Sequence, residues 1–387
     1  MSDFITDIKI KKVRHLENIN IKLGDKKKHL ILTGKNGSGK TSVLEELNKF
    51  ISDIVNDNLI EINTNPSKER LFYEIDGNRY NLYPNITNIH SLYLKFMKNT
   101  KIDFIYAFFQ AKRETKVKKP QGIAKYDVSK DKTEKLNQNF LQYIVNLKAE
   151  RSFSRDDEDI EMVKKIDTWF SNFETILRQI FNDDDLYIKF DRKNYNFFIH
   201  RNSREPFDFN SLSAGYSSII DIITELILKI ENTESKSFDC EGIVLIDELE
   251  THLHVELQKN IFPLLTSFFP KIQFIVTTHS PFVLSSIENS VIYDLERKEI
   301  TDGNRFVNGS YSQIVKNYFE IDSEFSIQLE EKIKKYEELI NIFEAGNISL
   351  EDEKELLSLD TKLDDIALML SGNVYLRFKE LQDRIRE

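Results

Sequence analysis

The sequence predicts an α/β protein built on a mixed central sheet. An antiparallel β part is expected at the N-terminus, a short inserted helical lobe in the middle and a helical extension at the C-terminus. Three observations predict this. An apolar strand, HLILTG, runs through a glycine-rich turn into the apolar-periodic TSVLEELNKFISDIV, the strand–loop–helix order of a phosphate cradle. Two further apolar runs, GIVLIDE and FIVTTHS, end in polar residues, as strands buried on both faces do. Beyond about residue 310 the chain is mainly charged amphipathic helix.

The elements follow in order. Ile5-Ile8-Ile10 and Ile19-Ile21-Leu23 alternate with polar residues and predict two strands. After the glycine loop and its helix, Asp76-Gly77 predicts a hairpin turn between LFYEI and RYNLY, and HSLYLKFM a short helix. KIDFIYAFFQ predicts a buried strand ending at Gln110, and a basic loop follows over 111–135. Helical spacing covers 134–182, in two helices parted by the polar run RSFSRDDED. LYIKF and NFFIH predict strands, SSIIDIITELILKI a helix, and ENTESKSFDCEG a polar linker. A helix through the 250s and 260s joins the last two apolar strands. The expected domains are 1–110, an N-terminal lobe with the glycine loop; 111–185, the basic loop and inserted helical lobe; 186–300, a C-terminal lobe; and 301–387, the helical extension.

Composition excludes several classes. Of the 387 residues 40% are hydrophobic and 30% charged, with no apolar run long enough for a membrane span. The start, MSDFITDIKI, lacks the order of a signal peptide. The single cysteine, Cys240, excludes an intrachain disulfide and fits a reducing cytoplasm. A net charge of −10 disfavours a uniformly basic nucleic-acid coat but permits a local basic face. Residues 111–135 carry nine Lys/Arg against four Asp/Glu. They are either a solvated loop or a DNA-contacting surface that neutralises phosphates without reading bases.

The chemistry is carried by short stretches. Gly34-Lys35-Asn36-Gly37-Ser38-Gly39-Lys40-Thr41 satisfies G-x-x-x-x-G-K-[ST] completely, with Ser42 following. Its glycines let successive N–H groups converge on phosphate oxygens, and the helix N-terminus adds partial positive charge. Lys40 is expected to reach the β- and γ-phosphates of ATP and Thr41 to bind Mg²⁺. Asp247 and Glu248 end an apolar strand, at the sheet edge where α/β folds bind ligands. Asp247 is expected to hold Mg²⁺, and Glu248 to orient and deprotonate the attacking water. His279 ends a third apolar strand and is suited to the γ-phosphate or water. Gln110 is a further candidate for Mg²⁺ or water, or an ordinary strand-end residue. Arg14 and His15 are either nucleotide contacts or a solvated strand end.

Phosphate loop, glutamine after a strand, Leu212-Ser213-Ala214-Gly215 opening a helix, apolar strand with Asp-Glu, strand with His: this order resembles the ABC-type ATPases of the AAA-family kind. IKIKKVRHLENINIKL, DELETHLHVELQ and THSPFVLSSI resemble the soluble branch of SMC proteins, RecF and overcoming-lysogenisation-defect ATPases more than a transporter subunit. The resemblance covers residues 1 to about 295. It implies that Ser213 and the Gly215 backbone contact ATP held by a second protomer, so that two copies associate head to tail around composite ATP sites. Ala214, Tyr216 and His254 depart from the transporter pattern. Compact ATPases of this kind occur in bacterial anti-phage systems such as Septu, Gabija, PARIS and some retrons. There the ATPase is often a separate subunit that holds or regulates a nuclease or toxin. No nuclease motif follows His279 here, so an effector is expected to be a separate chain. A RecF- or SMC-like DNA-repair clamp is the alternative.

Overall fold

In the computed structural model of the protein the described residues are 4–55, 72–75, 78–81, 86–87, 104–113, 116–124, 135–202, 204–233, 239–318, 327–367 and 372–386. The isoleucine alternation near the N-terminus becomes an antiparallel pair, β1 (Asp7–Val13) and β2 (Leu16–Lys22). Ile8 lies opposite Ile21 and Ile10 opposite Ile19, and all four are buried. β3 (His29–Thr33) is buried throughout and leads through the glycine loop into α1 (Lys40–Val55). β4 (Phe72–Ile75) and β5 (Asn78–Asn81) pair as the expected hairpin. Its Asp76-Gly77 turn and the expected helix HSLYLKFM lie outside the described residues. β6 (Ile86–Thr87) pairs with the other edge of β1.

β7 (Phe104–Phe109) is followed, beyond the basic loop, by α2 (Phe140–Asp156) and α3 (Ile160–Phe181). The break between these helices is shorter than the polar run RSFSRDDED suggested, because α2 continues through Asp156. Arg151 and Glu150 suit a helix interior, and Arg151 pairs with Asp167 of α3 at 2.5 Å. The chain turns only where Glu158 takes φ 60° and Asp159 caps α3, accepting from the Met162 N–H at 3.0 Å. β8 (Tyr187–Asp191), β9 (Asn196–His200) and the short β10 (Phe207–Asp208) form a separate antiparallel sheet. α4 (Ala214–Glu231) follows.

β11 (Glu241–Ile246), α5 (Val255–Phe268), β12 (Ile272–Thr277), α6 (Pro281–Leu284), β13 (Ser290–Asp294) and β14 (Glu299–Asp302) complete this part. The central sheet has the spatial order β14-β13-β3-β12-β11-β7. Only the β13–β14 pair is antiparallel. The mixed α/β sheet read from the sequence is thus present. α1 lies between one face of this sheet and the β1–β2 pair: Val43, Leu44, Leu47 and Phe50 share a core with Ile8, Ile21, Leu30, Leu245 and Ile275. The other face carries His29, Phe262 and Phe274, with ring centroids 5.6–6.1 Å apart.

Two compact units divide the chain, Met1–Tyr311 and Ser312–Glu387. The helical extension expected from 301 therefore begins later. β14 pairs with β13, Ile292 opposite Thr301, across a turn in which Lys298 takes φ 56°. α7 (Asn304–Val307) and α8 (Tyr311–Tyr318) follow. In the second unit α9 (Ile327–Glu344), α10 (Leu350–Asp365) and α11 (Gly372–Arg386) enclose Tyr336, Leu339, Ile340, Leu356, Leu363 and Phe378. Among the described residues no helix is long and apolar enough to cross a membrane.

His29 titrates against the fold. Its Nδ1 accepts from the Phe274 N–H at 3.0 Å, and burial, with Lys27 adding to it, pulls its pKa down to about 3. The unfolded state, near 6.5, binds the proton first as pH falls, so stability is complete above about 6.5 and declines toward pH 3. Unfolding free energies from denaturant titrations across this window should fall more steeply for the wild type than for His29→Gln, by up to about 1.4 kcal/mol per pH unit. Parallel curves would show that His29 does not carry this dependence.

Candidate active site

Register brings the separated motifs to one sheet edge. Ile246 lies level with Val276 and Phe109, and Thr277 level with Leu32. The residues after these strands are Asp247-Glu248, Thr278-His279, Gln110 and Gly34, so all four emerge together at the carboxyl ends of parallel strands. Such an edge is where open α/β sheets bind ligands.

The glycine loop has the shape of an anion cradle. Gly34, Gly37 and Gly39 take φ 136°, 84° and 97°, a region that L side chains rarely enter. A Cβ at Gly39 would lie 2.7 Å from Leu16 Cδ1 and 3.4 Å from His15. The Arg14–His15 turn between β1 and β2 therefore abuts the loop, while Arg14 itself is exposed and 3.8 Å from Glu45. The Ser38 hydroxyl is buried without a hydrogen-bond partner. Lys40 is 6% exposed, and its Nζ donates to the Gly34 and Lys35 carbonyls at 2.9 and 3.0 Å. Burial lowers its pKa, opposed chiefly by Glu248 and Glu250. Lys35 and Asn36 are exposed, and Ser42 is buried in the first turn of α1. An unpartnered buried hydroxyl, an ammonium held by loop carbonyls and positive-φ glycines leading into a helix N-terminus fit a polyphosphate.

Asp247 and Thr41 meet here. Thr41 Oγ1 donates to the Asp247 carboxylate at 3.1–3.2 Å. The Thr277 hydroxyl donates to Asp247 Oδ1 at 2.7 Å and accepts from the Glu248 N–H at 2.7 Å. An exposed hydroxyl beside a carboxylate held by a second hydroxyl is an all-oxygen donor set, the kind Mg²⁺ takes. Glu248 takes φ 46°, a conformation uncommon for a residue with a side chain. Its Oε2 accepts from Thr251 Oγ1 at 3.1 Å.

His279 is half-buried, and burial, followed by Lys40, lowers its pKa, with Glu248 and Asp247 opposing. Glu250 holds this segment in place: its carboxylate accepts from the Thr278 hydroxyl at 2.7 Å and the His279 N–H at 2.5 Å. Gln110 stands beside Asp247, whose N–H donates to the Phe109 carbonyl at 2.8 Å. Its side chain is exposed, and its carbonyl accepts from Arg113 at 3.0 Å.

Ser213 and Gly215 are not part of this cluster. They line a cavity of about 370 Å³ with residues of the α3 C-terminus, such as Asn182, and of α5, such as Asn260. Ser213 is the N-cap residue of α4 but makes no side-chain capping hydrogen bond. Gly215 packs on the loop after Glu248: a Cβ there would sit 2.8 Å from the His252 carbonyl oxygen. Thr277, Glu250, Thr251 and Arg113 were not read from the sequence. DELETH and TTHS carried the first three as neighbours of the recognised residues, whereas Arg113 was hidden in the basic run 111–135.

A phosphate loop facing a strand-end Asp-Glu pair across a mostly parallel sheet defines a P-loop ATPase. The family model described as "AAA domain, putative AbiEii toxin, Type IV TA system" matches residues 56–285, more than half of the chain. The chain belongs to this AAA domain family. Septu protein PtuA of Bacillus mycoides (strain KBAB4) is 28% identical over 310 residues, which are 76% of this chain and 41% of that protein. The Retron Vc95 probable ATPase of Vibrio cholerae serotype O1 biovar El Tor is 25% identical over 348 residues, 68% of each chain. The chain thus spans less than half the length of the PtuA relative. The resemblance to Septu and retron ATPases stated from the motifs is borne out. An SMC head domain from Thermotoga maritima aligns with a TM-score of 0.38 and 14% identity over 76% of this chain and 94% of that one.

Gly215→Ala should push the first turn of α4 away from the His252 carbonyl. Overpacking of this kind costs about 1–3 kcal/mol. Equilibrium unfolding of the isolated chain without nucleotide should show that loss. Unchanged stability would mean that the loop after Glu248 yields readily.

Proposed function

We propose that this chain binds ATP with Mg²⁺ at the β3–β12–β11 edge and hydrolyses it in a site completed by a second copy. In this reading it is the regulatory platform of a multi-component anti-phage defence system in the cytoplasm, and it controls a separate nuclease or toxin subunit through ATP-dependent head-to-tail association. The observation that carries the ATP reading is the Thr41–Asp247–Thr277–Glu248 chain of hydrogen bonds beside Lys40. The names of the relatives, Septu protein PtuA and retron ATPases, support the defence setting.

This geometry supports the following roles. The Gly34–Thr41 loop and Ser42 bind and orient the phosphates. Lys40 exchanges its loop carbonyls for phosphate oxygens. Thr41 and Asp247, with Gln110 beside them, hold Mg²⁺, which when bound neutralises phosphate charge. Glu248 orients the attacking water and accepts its proton. His279 donates a hydrogen bond at the γ-phosphate. Ser213 and Gly215 of the second copy close over that phosphate. Exposed Lys112 and Lys118, in the basic run, supply a sequence-independent contact with DNA phosphates.

Solution mass tests the composite site. Glu248→Gln with Mg-ATP should form a dimer or larger assembly that retains the product of the neighbouring gene. Lys40→Ala should lose nucleotide binding and remain unassembled. A Glu248→Gln protein that binds ATP yet stays monomeric and partnerless would leave a lone P-loop enzyme.

A further inference from the structure

Arg113 lies three residues beyond Gln110 and is 1% exposed. Nε donates to Ser218 Oγ at 2.9 Å. Nη1 donates to the Gln110 carbonyl at 3.0 Å and the Asp247 carbonyl at 2.6 Å. Nη2 donates to the Glu248 carbonyl at 2.9 Å and the Leu249 carbonyl at 3.4 Å. These five contacts match the five donors of a guanidinium. One rigid planar group therefore gathers three successive carbonyls after β11, the loop after β7 and the second turn of α4.

The position of these contacts matters more than their number. Glu248 is held at φ 46°, and such a conformation persists only where the surroundings over-determine it. Its N–H is fixed by Thr277 and its carbonyl by Arg113 and the Thr251 N–H, the last at 3.0 Å. Rotating either peptide would swing the carboxylate. A cap for the strand end alone would need only the carbonyl contacts. Nε instead reaches α4, the helix that Ser213 and Gly215 open.

We infer that Arg113 is a positioning residue: it aligns the Glu248 carboxylate for water activation and ties that alignment to the placement of α4. The inference rests on the proposed role of Glu248. A shift of α4 when a second copy docks on its N-terminus would then reach Glu248 through the Ser218–Arg113 bond, without passing through nucleotide.

Steady-state and single-turnover ATP hydrolysis, with nucleotide affinity, test this in Arg113→Lys and Ser218→Ala, each alone and combined with Glu248→Gln. Lysine keeps the charge but cannot reproduce the planar fork. Arg113→Lys should bind Mg-ATP within about threefold of wild type and lose on the order of 10- to 100-fold in kcat. Ser218→Ala should lose about three- to tenfold, again in kcat and not in KM. Both losses should vanish when Glu248 is already glutamine. Losses that add to that of Glu248→Gln, or that fall on affinity with kcat unchanged, overturn the inference alone. Full turnover by Glu248→Gln with Arg113 intact overturns the assigned role of Glu248 and the inference with it. Where Arg113→Lys does not fold, Ser218→Ala decides, and an unchanged kcat in it overturns the coupling.

Discussion

The site depends on the Thr277 hydroxyl. It is buried at the end of β12, donates to the Asp247 carboxylate and accepts from the Glu248 N–H. It thereby fixes two neighbouring residues at once. Asp247 is turned toward Thr41 and the phosphate loop. Glu248 is bent into positive φ, so its side chain leaves in another direction. The hydroxyl is in place only because β11 and β12 run parallel with Ile246 level with Val276. A slip of one residue would put every side chain of a strand on the opposite face, and both carboxylates would lose this partner.

That register explains what was legible in the sequence. β3, β11 and β12 are buried on both faces, so they read as continuous apolar runs, and the polar residues at their ends stood out. The glycine loop was legible because few residue types can follow its backbone. β13 and β14 were not read, because β13 is a short run without alternation, buried at every position, and the edge strand β14 is four residues long and half-charged. Arg113 was illegible for a different reason. Its five acceptors are mostly main-chain carbonyls, which no side-chain pattern records, and they come from segments up to 136 positions away. Composition placed it among solvated lysines, but its neighbours in space place it in the core.

α4 is the second element on which the site rests. Its sequence is apolar almost all round, and nearly every residue from Gly215 to Ile230 is buried, as expected of a helix inside a domain. Yet it carries Asp221, Glu225 and Lys229. Glu225 accepts from the Leu136 and Asn137 N–H groups at 2.6 and 2.8 Å and lies 3.4 Å from Lys229. Asp221 accepts from Asn137 and lies 3.9 Å from Lys135. Burial pushes Asp221 up to about 6, with Lys135 opposing. Removing one partner from such a network strands a buried charge. The network locks the chain entering α2 onto α4, while Arg113 locks the opposite approach, so α4 is clamped between the two ends of the basic loop.

This clamping bears on how the Leu-Ser-small-Gly motif should be read. Gly215 has a reason to be glycine within its own chain, since any Cβ would strike the His252 carbonyl. Its presence is therefore explained by packing even without a second copy. Ser213 is different. It is exposed, stands at the N-cap of α4 and makes no capping hydrogen bond there, although serine at that position ordinarily does. Helix capping and core packing both leave its hydroxyl unused. Of the two residues, Ser213 is therefore the one whose hydroxyl faces outward, as the contact with a second copy in the proposed function requires.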